Sequence, residues 1–131
     1  MNAKHYVSLE AAKKLKEKKY ESNSGFFFHA VERNYKLVYG NPLKPDELVE
    51  ELYYAPTLLE AMDWLESKGI VVELSYDDKG HMDNALWQYF IYIHDEDGLV
   101  EGMECSWMEG NYFKTRLEAE DAAIIKALEL L

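Results

Sequence analysis

Residues 57–76 constrain this chain more than any other stretch. Thr57 followed by Glu60 has capping-box spacing, and Gly69 is a natural helix terminator. At 100° per residue, Leu58, Ala61, Met62 and Leu65 fall on one face, flanked by Leu59 and Trp64. Glu60, Asp63 and Ser67 point the other way. From Ile70 the period changes to two, with Ile70, Val72, Leu74 and Tyr76 alternating against Val71, Glu73 and Ser75. An amphipathic helix that runs straight into a strand has to lay its apolar face on a sheet.

The rest of the chain fits around that unit. Ser8 caps a first helix whose apolar stripe is Leu9, Ala12 and Leu15, with Lys13, Lys14, Lys16, Lys18 and Lys19 over the remaining surface. Phe26–Val31 and Tyr35–Tyr39 are aromatic and β-branched, with Glu32, Arg33 and Asn34 as a hairpin turn. Bulk on both faces of Phe26-Phe27-Phe28 suits a covered strand. Pro42–Pro45 is loop, and Asp46–Tyr53 reads as a short helix opening after Pro45.

Asp77–Gly80 turns the chain after Tyr76, and Leu86–His94 is apolar on both faces, as in a central strand. Asp95-Glu96-Asp97-Gly98 is a four-residue hairpin loop into a strand over Leu99–Trp107. After a turn at Glu109-Gly110-Asn111, Thr115 and Glu118 repeat the capping-box spacing. The last helix stacks Leu117, Ile124, Leu128 and Leu131, with Ala123 and Ala127 beside them. The order α-β-β-(α)-α-β-β-β-α predicts an α+β fold: an antiparallel sheet of about five strands, with two or three helices on one face. The three capped helices invite comparison as an internal duplication, but capping and amphipathicity are generic features.

At 131 residues, with 48% apolar and 30% charged side chains, the chain has the size and composition of one globular domain, 1–131. One cysteine, Cys105, excludes an internal disulfide. There is no signal-type apolar run and no membrane-length apolar window, so the expected setting is cytoplasmic, without membrane contact.

Net charge is −11, unevenly placed. Residues 1–45 hold nine Lys and Arg against four acids, a sum of +5; residues 46–131 hold five against 21, a sum of −16. A net negative field repels polyanions, so a nucleic-acid partner is not expected. The complementary halves suit contact within one molecule or between two copies. The acid density also permits an alternative reading as an acidic mimic of DNA that occupies a basic protein.

Catalytic and metal chemistries find little support. Cys105 with His94 is the pair to test for nucleophilic catalysis, since their strands form a hairpin. His81, Asp83, His94 and Asp95–Asp97 match no zinc or calcium spacing. The seven glycines form no phosphate-cradling loop, and no cofactor is expected. A small enzyme with an unrecognised site stays as a third alternative.

Aromatic residues make up 14% of the chain, more than a small core hides easily. Trp87, Tyr92, Trp107, Tyr112 and Phe113 are the candidates for an exposed interaction surface, with Lys13 and Lys16 as its charged counterpart. The reading is a non-enzymatic protein-binding module that self-associates as a homodimer.

Three blocks resemble a family of small phage- and prophage-associated proteins of gut bacteria. They are Ala55–Ile70, opening Ala55-Pro56-Thr57-Leu58-Leu59-Glu60-Ala61-Met62; Val7–Lys18; and Tyr112–Ala122. The resemblance implies a stand-alone domain with no agreed activity and supplies no functional residues.

Overall fold

The Ser8 hydroxyl accepts the Ala11 N–H at 3.3 Å, which opens helix α1 (Leu9–Glu17) as its side chain requires. In the computed structural model, residues 5–20, 26–31, 34–39, 52–76, 87–109 and 111–131 are described. The chain divides into two compact units, Met1–Thr57 and Leu58–Leu131.

In the first unit, α1 buries Ala11, Ala12 and Leu15, so Ala11 joins the expected stripe and Leu9 stays half-buried. Strand β1 (Phe26–Val31) is the middle of a three-stranded antiparallel sheet, as its Phe run predicts. On one side it pairs with β2 (Asn34–Tyr39), Phe28 opposite Leu37. On the other it pairs with β3 (Leu52–Tyr54), Phe28 opposite Tyr53. Val31 pairs with Asn34, so Asn34 belongs to β2 rather than to the expected turn; Glu32 and Arg33 lie outside the described residues.

Strand β3 corrects the expected helix over Asp46–Tyr53. Leu52, Tyr53 and Tyr54 favour a pleated surface, and they find the open edge of β1 and the underside of α1. Residues 46–51 lie outside the described ones. The segment ahead of α1 is tied to the end of the unit, since Val7 N–H donates to the Pro56 carbonyl at 3.1 Å and Tyr6 bridges to Thr57.

The second unit holds α2 (Leu58–Ser67), which buries Leu58, Ala61 and Leu65. It leads through Lys68 and Gly69 into β4 (Ile70–Tyr76). Gly69 has φ +86, and a Cβ there would lie 3.1 Å from the His94 carbonyl oxygen, so the junction strongly favours glycine. The same glycine's carbonyl accepts the His94 N–H at 2.8 Å, locking the helix end to the sheet.

β5 (Trp87–His94) is the central strand, between β4 and β6 (Val100–Cys105), all antiparallel. The expected single sheet of about five strands is therefore two sheets of three. A connecting hairpin at Asp95–Gly98 forms where expected. Asp95 Oδ1 accepts the N–H groups of Asp97 and Leu99, each at 2.9 Å, and Gly98 takes φ +80. A bulge follows, because Ile93 pairs with Gly102 while His94 pairs with Val100.

β6 stops at Cys105, short of the expected Trp107, and a 3₁₀ turn covers Ser106–Glu109. The cause is Ser106, whose hydroxyl replaces a ladder carbonyl by accepting the Tyr89 N–H at 2.9 Å. The chain then returns to β5 at Phe113, which exchanges two 2.8 Å backbone hydrogen bonds with Trp87. Thr115 caps α3 (Arg116–Glu129), accepting the Glu118 N–H at 3.2 Å. Its buried side is Ala119, Ala123, Ile124, Ala127 and Leu128, whereas Leu117 is half-buried and Leu131 exposed. Alanines on that side let the helix approach β4 and β5 closely.

Each unit runs helix and then three strands, yet they are not topological copies. The middle strand is the first of the three in one unit and the second in the other.

Candidate interaction surface

Side chains of paired residues project from the same face of a sheet. In the second unit, one face carries Ile70, Ile91 and Tyr89, all buried. Tyr89 also lines a groove with Ala122, Ile125 and Lys126 of α3, so this is the face the helices cover.

The opposite face is built by the intervening residues. Val71, Tyr92 and Met103 form one cross-strand row; Glu73, Phe90 and Cys105 stand in the next, with Cys105 buried at its β6 end; His94 pairs with Val100 beyond the bulge. Phe90 and Tyr92 stack with ring centroids 6.5 Å apart and planes at 14°. Val71, Phe90 and Tyr92 are half-buried, while Val100 is 57% and Met103 51% exposed. Apolar side chains that project this far from a sheet face form a surface suited to a partner.

Acid outnumbers base around the apolar row, where Lys68 is the basic residue lining the cleft beside Val71, Asp95 and Glu96. Glu73 is exposed on the face itself, Glu101 at the bulge, and Glu96 and Asp97 in the adjoining hairpin. β4, β5 and β6 contain no Lys or Arg. The unit as a whole carries 17 acidic against five basic residues, net −12; the first unit carries eight against nine, net +1.

The residues expected to make one surface are divided among three places. Trp87 and Phe113 pair with each other, Trp87 sits edge-on to Tyr76 at 5.3 Å, and Phe113 stacks on Tyr89 at 6.0 Å. The two are joined through their backbones while their rings contact Tyr76 and Tyr89, and both are half-buried. Tyr112, also half-buried, adjoins them in the same segment. Tyr92 belongs to the apolar row. Trp107 sits in the 3₁₀ turn, and its side chain lies outside the described part of the structure.

Lys13 and Lys16 belong to the first unit. Their Nζ atoms stand 5.7 and 4.9 Å from the ring centre of buried Tyr53, so the basic helix holds the β3 aromatic from above.

Sequence reasoning missed Val71, Val100, Met103 and Phe90 as surface residues. Period-two alternation was visible in β4 and β5, but which face the helices would take was not. Around the bulge the alternation in β6 breaks, so Val100 and Met103 gave no readable pattern.

Cys105 and His94 do not meet. Cys105, buried, pairs with Phe90, and His94 pairs with Val100, which separates them by about 13 Å of strand. His94 Nδ1 is buried without a hydrogen-bond partner, next to an open cleft that Glu66, Lys68, Asp95 and Glu96 also line. Among the described residues no group of three His, Cys, Asp or Glu could hold a metal ion, and no helix is long and apolar enough to cross a membrane. His81 and Asp83 lie outside the described residues.

Fold and surface together define an α+β protein with two antiparallel sheets and one acid-framed apolar sheet face. Comparison of the chain with protein-family models, curated proteins and solved structures gives no match.

Proposed function

We propose that the chain is a non-enzymatic protein-binding module whose contact surface is the face of the β4-β5-β6 sheet opposite α2 and α3, free of the second unit's helices among the described residues. The row Val71–Tyr92–Met103, with Phe90 and Val100 beside it, carries this reading. It combines flat aromatic rings with projecting aliphatic ends, the composition that protein interfaces favour. Separation of Cys105 from His94 supports the non-catalytic part.

A second copy is the simplest occupant. Two such faces meeting about a two-fold axis bring matching apolar rows together. Each copy also brings a unit of net −12, so the pairing strengthens as salt screens the repulsion.

Light scattering coupled to size exclusion tests this over a range of protein concentrations at low and high salt. The expected result is a dimer that grows with concentration, is favoured at high salt, and is lost in Met103→Glu. A strict monomer at every concentration in both salts overturns the self-associating module.

A further inference from the structure

We infer that this face of the second sheet, opposite α2 and α3, also takes a cationic amphipathic helix from a partner protein, in competition with a second copy of the chain. The inference rests on the reading of that face as a contact surface and adds the chemistry of its partner.

Charge complementarity selects the occupant. Glu73 on the face, Glu101 at the bulge and Glu96 and Asp97 at the hairpin are all exposed around an apolar row. No Lys or Arg stands on any of the three strands to balance them. A second copy brings the same acids to the rim, at a repulsive cost, whereas a Lys- and Arg-rich segment relieves it. Acid alone would attract any polycation. The apolar row adds the second requirement, aliphatic or aromatic side chains on one side of the incoming segment.

A helix fits the geometry. α2 and α3 already show how amphipathic helices cover the other face of this sheet. A helix on the remaining face completes a three-layer arrangement, with its basic side toward the acidic rim.

Two synthetic peptides of equal length and charge make the test, followed by fluorescence anisotropy against the full chain. One has lysines with leucines at helical spacing; the other replaces every leucine by serine. The expected result is at least about tenfold tighter binding of the leucine peptide, equivalent to about 1.4 kcal/mol. Binding should weaken with added salt, opposite to the trend for self-association.

Met103→Glu and Val100→Glu are the decisive variants. Each adds acid, so a merely electrostatic association would tighten, while docking on the row weakens by about tenfold. Thermal melts of both variants confirm that the fold is intact. Equal binding of the two peptides, no binding of either, or tighter binding to the Glu variants overturns the inference. Those outcomes leave the salt-favoured dimer untouched, since that is measured without peptide.

Discussion

Ser106 accepts the backbone N–H of Tyr89 through its hydroxyl at 2.9 Å, with the serine 0% and the tyrosine 4% exposed. This bond ends one strand and frees the chain to return to β5 at Phe113. A buried donor that loses its acceptor costs about 1–3 kcal/mol. Ser106→Ala should therefore lower the unfolding free energy by that amount, read as a lower urea midpoint with an unchanged slope. A slope change instead would mean that the Ser106–Phe113 return itself had come loose.

Gly69 and Gly98 both have positive φ, but their surroundings differ. A Cβ at Gly69 meets the His94 carbonyl at 3.1 Å, while one at Gly98 meets nothing within 4 Å. Gly98→Ala should cost only the backbone strain, about 1 kcal/mol. Gly69→Ala adds a clash against the backbone that the Gly69–His94 hydrogen bond fixes, for a total of about 2–3 kcal/mol. Chemical denaturation of the two variants side by side checks the order; equal losses would show that the junction yields.

Much of this was legible beforehand. Caps at Ser8 and Thr115, the α2–β4 junction at Gly69, the central position of Trp87–His94 and the Asp95–Gly98 hairpin all rest on local chemistry, which sequence states directly. The division into two sheets was not legible. Nor was the pairing of Leu52–Tyr54 with the edge of β1, a long-range choice that overrides an acidic, helix-like lead-in. The end of β6 was hidden for a related reason, since nothing local says that a serine hydroxyl will substitute for a strand carbonyl. For the surface, the excess of aromatics was visible but its allocation was not. Trp87 and Phe113 set their rings against Tyr76 and Tyr89, and the exposed row falls partly to aliphatic residues around a bulge.

Arg116 and Glu120 form an ion pair at 2.7 Å one turn apart on α3, the arginine side chain 63% exposed and the glutamate 6%. Removing the arginine leaves a desolvated carboxylate, whereas removing both leaves a neutral site. Arg116→Ala should destabilise by about 1–2 kcal/mol, and adding Glu120→Gln should recover part of that loss. A double-mutant cycle by denaturation measures the coupling; additive losses would show that water already serves Glu120.

Lys19 closes α1 with φ 63, a left-handed conformation in which a β-carbon is crowded. The conformation is imposed by the helix end, where the Tyr20 N–H reaches back to the Leu15 carbonyl at 3.0 Å and the Lys19 N–H to Lys16 at 3.0 Å. Glycine adopts that conformation without strain, at the cost of a more flexible unfolded chain. The balance favours Lys19→Gly by about 0.5–1 kcal/mol, because the relieved strain exceeds the added entropy of the unfolded state. Lys13 and Lys16, which hold Tyr53, are untouched by the change, so the gain should appear without loss of the α1–β3 contact. A rise in melting temperature of a few degrees, with tyrosine near-ultraviolet dichroism unchanged, is the expected result. A lowered melting temperature would mean that the lysine side chain contributes more at this helix end than its backbone strain costs.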